Sequence, residues 1–300
     1  MTREKLQQFV KDLSDNSPVN YVGEALEGVE ETSFNKHTPK FTDGVKDAEF
    51  DGLFGMRFYE TPVFSIASAD SPRFLEIKKP NVVGEYHLLP RDWLPEAKTV
   101  ISFALPVSRR IVEANKIDPL LPSIEWLYSR VEGNRFLLAL GAAVRDALIA
   151  DGHNAVTPYL DERLIARFGG EAAPGTEHMR PFSSTWSERH VGVATGLGTF
   201  GLSTNFISKV GSTVRLISVV TDWDIEPDVP DTDDWLGYCN RCGVCIKRCP
   251  AAAHNPEKAT KDHNVCSAYI RKVSAPHNPR YGCGKCQTGT PCEYEARGVK

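Results

Sequence analysis

Eight cysteines dominate the last quarter of this 300-residue chain, and all of them lie between Cys239 and Cys292. Cysteines at this density are either crosslinked or bound to metal, so they constrain the fold more than any other feature of the sequence. The N-terminus has no apolar signal segment, and no run of roughly 18 apolar residues follows it, so we expect a cytoplasmic protein without membrane spans. Because thiols stay reduced in that compartment, the sequence favours metal binding over four structural disulfides.

The first four cysteines, Cys239, Cys242, Cys245 and Cys249, follow the spacing C-x2-C-x2-C-x3-C and directly precede Pro250. This is the run found in bacterial ferredoxins, where the fourth cysteine ligates the other cluster when two are present. Zinc is the alternative, but a structural zinc site uses four close ligands rather than this spacing.

Four further cysteines complete two sets of four ligands. The exchange of the fourth ligand predicts how the thiolates are shared between two [4Fe–4S] clusters. The first cluster is predicted to be held by Cys239, Cys242, Cys245 and Cys292. The second is predicted to be held by Cys249, Cys266, Cys283 and Cys286. Nearby cations either offset the negative charge of the clusters or form a solvated surface: Lys247, Arg248, Arg271, Lys272 and Lys285.

The overall composition is that of an ordinary globular protein, with 41% hydrophobic and 25% charged residues. The formal net charge of -4 supplies no basic excess that could neutralise a phosphate backbone. The composition therefore argues against nucleic acid as a partner.

Hydrophobic patterns upstream of the cysteines predict interleaved strands and helices. The β-branched runs at 99–105 and 214–221 predict buried strands, and 154–159 predicts a further strand. A helix is predicted between them, with Asn134 as its N-terminal cap and Asp151-Gly152 at its end.

The acidic, proline-containing segment 224–234 predicts a connection between two units. We therefore expect an N-terminal extension at residues 1–88 that packs on the main domain. The main domain is expected at 89–233, as an α+β cofactor domain. A double-cluster domain is expected at 234–300.

A family resemblance is carried by the block at residues 187–201. It reads Ser-Glu-Arg-His-Val-Gly-Val-Ala-Thr-Gly-Leu-Gly-Thr-Phe-Gly, and Gly211-Ser212, the segment 219–222 and the ferredoxin run follow it. In this order the motifs resemble those of the epoxyqueuosine reductase and reductive dehalogenase superfamily. The resemblance covers roughly residues 90–300.

This resemblance implies a nitroreductase-like α+β domain that binds cobalamin, followed by a ferredoxin-like domain with two [4Fe–4S] clusters. It implies a reductase that passes electrons from the clusters to the corrin and on to a small organic substrate. These electrons would be supplied by a donor such as ferredoxin or flavodoxin. The residues that would contact the cofactor are Ser183, Ser184, Thr185, Gly196, Gly198, Thr199, Phe200, Gly201 and Ser203. From the residues alone, the hydroxyl groups could instead cap the helix that Glu188 begins, and the glycines could form a tight turn.

A reductase of this kind needs a proton source beside its substrate. The candidates are Glu188, His190, Tyr128 and Tyr159. Glu188 could instead form an ion pair with Arg189 at a helix start, and His190 could be a hydrogen-bonded core histidine.

The sequence departs from the family pattern in several places. The segment 181–186 has no carboxylate, although epoxyqueuosine reductases carry a catalytic aspartate at the corresponding place. The helical repeats that engage tRNA in those enzymes do not follow Cys292, and the twin-arginine signal of secreted dehalogenases is missing. Pro291 precedes the final cysteine, whereas in the dehalogenases a proline usually follows it. We therefore expect a distinct subfamily.

Three functions are open on this basis. The large domain upstream of the cysteines favours an enzyme, because a simple electron carrier needs only the cluster module. The alternatives are a non-catalytic electron-transfer or assembly subunit, and an epoxyqueuosine reductase that acts on tRNA.

Overall fold

The structure is a computed structural model that describes residues 1–23 and 52–298. Its helices are α1 (Arg3–Asn16), α2 (Pro72–Ile77), α3 (Pro90–Trp93), α4 (Arg109–Ile117), α5 (Ile124–Val131), α6 (Gly133–Ala150), α7 (Glu188–Ala194), α8 (Val244–Lys247) and α9 (His263–Ser274). Its strands are β1 (Val63–Ser68), β2 (Thr99–Pro106), β3 (Ala155–Val156), β4 (Ala166–Arg167), β5 (Ser183–Ser184), β6 (Gly198–Phe200), β7 (Phe206–Ser208), β8 (Val214–Thr221), β9 (His254–Asn255) and β10 (Thr260–Lys261). None of these helices combines the length and the apolar character needed to cross a bilayer.

An antiparallel sheet of four strands, in the order β1-β2-β8-β3, organises the chain upstream of the cysteines. In β2, Phe103 lies opposite Phe64 of β1 and Ile217 of β8. β-Branched residues are frequent in β2 and β8, and such residues pack well on a pleated surface. The strands predicted at 99–105 and 214–221 are confirmed, and both are almost entirely buried.

Helices cover both faces of this sheet. Successive side chains of a strand point to opposite faces, so Ile101 packs with the core formed by α1, α5 and α6. Its neighbour Val100 packs with the core formed by α2, α3 and α7. Both layers remove apolar side chains from water, which is the main driving force for such an arrangement. The predicted mixture of helices and strands is confirmed.

Helix α6 starts earlier than predicted. It begins at Gly133, so Asn134 lies inside its first turn and Glu132 occupies the cap position. Asn134 was wrong as a cap because α5 leads almost directly into α6 and Glu132 is already helical. The helix ends as predicted, with Gly152 in the left-handed region at φ +90°.

The strand predicted at 154–159 is much shorter in the structure. Only Ala155–Val156 pair with β8, at the edge of the sheet. A short 3-10 turn begins at Pro158, whose nitrogen has no hydrogen to donate to a strand ladder.

The predicted N-terminal extension and the predicted main domain share one sheet, since β1 pairs with β2 along its whole length. The acidic segment 224–234 contains no helix or strand, and it returns to β1. There Asp228 accepts hydrogen bonds from the Ile66 amide at 2.8 Å and from the Arg3 guanidinium at 2.7 Å. Residues 24–51 lie outside the described residues, and the three-domain division stays a prediction.

The cysteine-rich segment consists of short elements and is joined to helices α4 and α5 by buried charges. Arg280 donates a hydrogen bond of 2.7 Å to Glu132, directly after α5, and its guanidinium lies 3.8 Å from the centroid of the Tyr128 ring. The ammonium group of Lys285 donates at 2.6 Å to the backbone carbonyl of Asn115 on α4. Buried charges require partners of this kind, so these contacts fix where the segment docks.

Helix α7 is anchored at its start by His87. The buried imidazole stacks on Trp186 with ring centroids 5.4 Å apart, and its Nε2 accepts a hydrogen bond of 3.1 Å from the Ser187 amide. Burial, together with nearby cationic groups, lowers the pKa of His87 to about 3. Because Nε2 must stay unprotonated to accept that bond, the ring is neutral in the folded protein.

We predict that His87 makes folding sensitive to acid. Histidine in the unfolded chain binds a proton below about pH 6.5, whereas the folded chain resists protonation down to about pH 3. The stability contribution is therefore present above pH 6.5 and is lost as the pH falls towards 3. Between pH 7 and pH 5, the wild type should lose about 2 kcal/mol more of its unfolding free energy than His87→Gln, as measured by anaerobic urea denaturation. Equal losses in the two proteins would contradict this assignment.

Candidate functional site

The eight cysteines line two adjoining cavities. Cys239, Cys242, Cys245 and Cys292 line the smaller cavity. Cys249, Cys266, Cys283 and Cys286 line the larger cavity, which has a volume of about 390 Å³. Cys286 also reaches the smaller cavity, so the two cavities meet at this residue.

The thiols surround open space and do not converge on a point. All eight cysteines are free, so the disulfide alternative is wrong. Within residues 1–23 and 52–298, no three His, Cys, Asp or Glu side chains are arranged to hold a single metal ion. The zinc alternative therefore has no support in the arrangement of the thiols.

Local backbone features hold the cysteines around these cavities. Gly243 precedes α8 in the left-handed region, at φ +73°, and the short helix carries Cys245. Asp262 caps α9, which carries Cys266, by accepting two backbone hydrogen bonds. Gly284 lies so close to Trp126 of α5 that a Cβ atom would be 2.2 Å from the indole ring. Only glycine permits this approach.

Asn205 lies between the two cavities and was missed by the sequence reasoning. Its amide donates to the Sγ of Cys286 at 3.1 Å and to the backbone carbonyl of the same residue at 3.2 Å. Hydrogen bonds to cluster sulfurs and their ligands are one of the factors that set reduction potentials. A lone asparagine has no spacing signal, so only the folded chain reveals this contact.

The larger cavity places the second cysteine set opposite residues from the main domain. Helix α5 contributes Arg130, helix α7 contributes Glu188 and Arg189, and β8 contributes Arg215. Lys261 completes a wall that is unusually rich in cations.

Glu188 is a buried carboxyl group at the start of α7. Neither of its oxygens has a hydrogen-bond partner in the described part of the chain, and the expected ion pair with Arg189 is not formed there. Burial raises the pKa of Glu188 to about 8, although nearby Ser218 and Trp186 act in the opposite direction. The carboxyl group is therefore mostly protonated at neutral pH, in a residue that lines the cavity.

The fold places the other three catalytic candidates in different environments. Tyr159 lines the larger cavity, and burial raises the pKa of its hydroxyl group. His190 lies outside the cavity, with Nδ1 2.7 Å from Ser187 Oγ and its ring 4.9 Å from that of Phe200. Tyr128 is fully buried beneath Arg280. The structure thus brings two of the four candidates, Glu188 and Tyr159, to the larger cavity.

The hydroxyl-bearing cofactor candidates before α7 have structural contacts. Ser183 and Ser184 form β5, which pairs with β4, and the Thr185 hydroxyl accepts a hydrogen bond from the Ile165 amide. The alternative that these residues cap α7 is wrong, because Ser187 occupies the cap position.

Of the cofactor candidates in the glycine-rich stretch, some line the smaller cavity and the others pack against the protein. Gly201 and Ser203 line the smaller cavity beside the first cysteine set. Gly198 lies in β6 so close to Ile207 that no Cβ could be accommodated. The remaining candidates have packing or hydrogen-bond partners in the protein: Gly196 contacts Pro230, Thr199 accepts from the Tyr238 amide, and Phe200 stacks on Trp235.

The cations predicted to surround the cysteines fall into two groups. Lys247, Arg271 and Lys272 are exposed to solvent. Arg248 is half-buried against Gly289, and Lys285 is buried.

Sequence relatives of the chain are epoxyqueuosine reductases, although no family model matches it. The enzyme of Gloeobacter violaceus is 32% identical over 170 residues, which cover 51% of this chain and 50% of that protein. The enzyme of Bacillus subtilis is 27% identical over 221 residues, covering 69% of this chain and 50% of that protein. The chain thus matches about half the length of these two curated relatives.

Solved structures of epoxyqueuosine reductases and of reductive dehalogenases align with the chain. A reductive dehalogenase aligns over 96% of this chain and 37% of that one, with a TM-score of 0.48 and 12% identity. The epoxyqueuosine reductase of Bacillus subtilis aligns over 79% and 63%, with a TM-score of 0.46 and 18% identity. The sequence relatives support the predicted resemblance: the chain is similar in sequence to epoxyqueuosine reductases.

Proposed function

We propose that this chain is an iron–sulfur oxidoreductase whose two [4Fe–4S] clusters deliver electrons to a cobalamin and a small organic substrate. One observation carries the proposal: the larger cavity brings one cysteine set together with the protonated, unpaired Glu188. An electron source and a proton source at one cavity are what a reductase needs. The matched relatives, which are named reductases, support the same class of reaction.

The donor set fits two clusters. Cys239, Cys242, Cys245 and Cys292 would hold the first, and Cys249, Cys266, Cys283 and Cys286 would hold the second. Thiolates are the ordinary ligands of such clusters, and each cavity is lined by all four cysteines of one set. Since the cavities meet at Cys286, electrons could pass between the clusters without crossing the protein surface.

The wall of the larger cavity fits part of a corrin. Arg189 and Lys261 are hydrogen-bond donors that suit the amide carbonyl groups on the rim of a cobalamin. A cavity of about 390 Å³ is at the lower end of ligand sites, which span about 300–1,000 Å³, and it must also take the second cluster. A bound corrin would therefore lie only partly within it. Cobalamin, when bound, supplies a cobalt centre that accepts electrons from iron–sulfur clusters.

Glu188 is the proton donor in this proposal. Its pKa of about 8 keeps the proton on the carboxyl group at neutral pH, where a general acid must hold it. Tyr159 lines the same cavity, but its raised pKa makes it a weaker acid than Glu188. A site with such a costly unpaired carboxyl group also argues against a non-catalytic subunit, for which the burial would have no use.

Reduction of epoxyqueuosine is the second candidate function. The observation that favours it is the name shared by the matched relatives, two of which are 32% and 27% identical to this chain. The test is loss of queuosine from tRNA when the gene is deleted, followed by its return on complementation. An unchanged queuosine content would remove this candidate.

The first experiment is anaerobic purification from cells supplied with B12, followed by iron and cobalt analysis and EPR spectroscopy. About eight irons per chain are expected, with cobalt in stoichiometric amount. Iron well below eight after cluster reconstitution would contradict the two clusters. Eight irons without cobalt, even after cobalamin is added, would contradict the corrin and favour an electron-transfer subunit.

The ligand sets can be tested with single variants in the same assay. Cys242→Ser and Cys266→Ser should each lose about four irons, and the EPR signals that remain should differ between them. Ser267→Ala, next to Cys266 on α9, is the matched control and should keep eight. Loss of the same signal in both cysteine variants would contradict the division into two sets.

We further expect Glu188 to titrate near pH 8 in the folded protein. Infrared difference spectra should show the carbonyl stretch of a protonated carboxyl group below that pH and its loss above it. The band should be absent in Glu188→Gln and retained in Glu125→Gln, a control on α5. With a substrate in hand, Glu188→Gln should lower kcat by about 10²- to 10⁴-fold while the iron content stays unchanged. A band that persists in Glu188→Gln would contradict the assignment.

A further inference from the structure

Four cations face the larger cavity without a carboxylate partner. Arg130, Arg189, Arg215 and Lys261 all line it, and none forms an ion pair within the described residues. Among the described residues of the wall, Glu188 has the only carboxyl group, and it is mostly protonated at neutral pH. Lys285 also lines the cavity, but its ammonium group is bonded to Asn115.

The positive charges of the Arg130, Arg189 and Arg215 guanidinium groups repel one another. Burial and the charges of Arg130 and Arg189 lower the pKa of Arg215 to about 10. Like charges in a partly enclosed cavity repel more strongly than they do on an open surface. Such a cluster is costly unless an anion enters it.

The second cluster would balance only part of this charge. A [4Fe–4S] cluster with four thiolates carries about two negative charges, against five cations in the wall when Lys285 is included. Arg189, Lys261 and Lys285 are the cations beside the thiols, since cysteines of the second set act on the pKa of each of them. Arg130 and Arg215 therefore keep about two positive charges without a counterion.

Aromatic rings orient these two arginines. The Arg130 guanidinium lies 5.3 Å from the centroid of the Tyr281 ring, and that of Arg215 lies 5.4 Å from the Trp126 ring. Stacking occupies the planar faces and leaves the N–H edges for a ligand. In Arg215, Nη1 donates a hydrogen bond of 3.4 Å to the Val214 carbonyl, whereas the buried Nε has no acceptor, so the edge that contains Nε is unused. A guanidinium edge matches the two oxygens of a carboxylate or phosphate.

We propose that Arg130 and Arg215 bind the carboxylate or phosphate group of an anionic organic substrate in the larger cavity. The inference rests on the proposed function, because it places that substrate beside Glu188 and the second cysteine set. Tyr159, Tyr269 and Tyr281 line the same cavity and would pack against an apolar or aromatic body. The substrate class is thus a small organic acid with an apolar part.

Calorimetric titration of the cluster-loaded protein tests this with benzoate, its neutral isostere benzamide and inorganic phosphate. Benzoate or phosphate should bind, and benzamide should not bind measurably. Arg130→Met and Arg215→Met should each weaken anion binding at least tenfold, while Arg110→Met, an exposed arginine on α4, should leave it unchanged. Arg215→Lys keeps the charge without the planar fork and should bind more weakly than wild type but more tightly than Arg215→Met.

Two further measurements separate the possible outcomes. Iron content is determined on each sample, so a variant without eight irons reports on the cluster proposal and not on the anion. Eight irons in the wild type with no binding of either anion would overturn the inference alone. Titrations repeated with hydroxocobalamin distinguish the source of the anion: unchanged benzoate binding supports a substrate site, whereas its loss assigns the arginines to the phosphate of the cofactor and overturns the inference.

Discussion

The rest of the site depends on how a segment with almost no core of its own is held in place. The cysteine-rich segment has short helices and two-residue strands, and few of its apolar side chains are buried. A segment of this size cannot bury enough surface to fold by itself without crosslinks or metal. Buried charges instead join it to the main domain, with Arg280 on Glu132 and Lys285 on Asn115. Removing one member of a buried pair leaves the other uncompensated, so docking and ligand geometry are expected to be lost together.

Electrostatics inside the larger cavity follow from the same docking. The main domain contributes cations and one carboxyl group, and the cysteine-rich segment contributes thiols. The charges of neither side are balanced without the other. Arg189 is the clearest example. Its accessible surface area is that of an exposed residue, yet protein surrounds it, because the accessible part of the residue faces the cavity. Burial keeps Glu188 protonated, so it does not neutralise the arginines. In our proposal the compensating negative charge comes from the clusters and the bound ligand.

The sequence predicted those parts of the fold whose signal is local. Continuous apolar runs marked β2 and β8, and cysteine spacing marked two sets that now line separate cavities. The prediction of Asn134 as a cap was wrong, because the preceding helix α5 leaves the backbone of Glu132 in the helical conformation. Arg130 and Arg215 are 85 positions apart, and they line one cavity because the Arg215 guanidinium lies over the ring of Trp126 on α5. No periodicity could reveal that arrangement, and the same holds for Asn205 and Cys286.

The block that carries the family resemblance is also the segment that connects every part of the site. Its first turn presents Glu188 and Arg189 to the larger cavity, and its end presents Gly201 to the smaller one. Asn205 follows at once and bonds to Cys286, where the cavities meet. A few residues later the Ser212 amide donates to the Cys292 carbonyl, so a stretch of 25 residues contacts both cysteine sets. The start of this block is in turn fixed by His87, a neutral buried acceptor. A change in the sheet or its helices would therefore reach Glu188, Arg189 and both cysteine sets through one short stretch of chain.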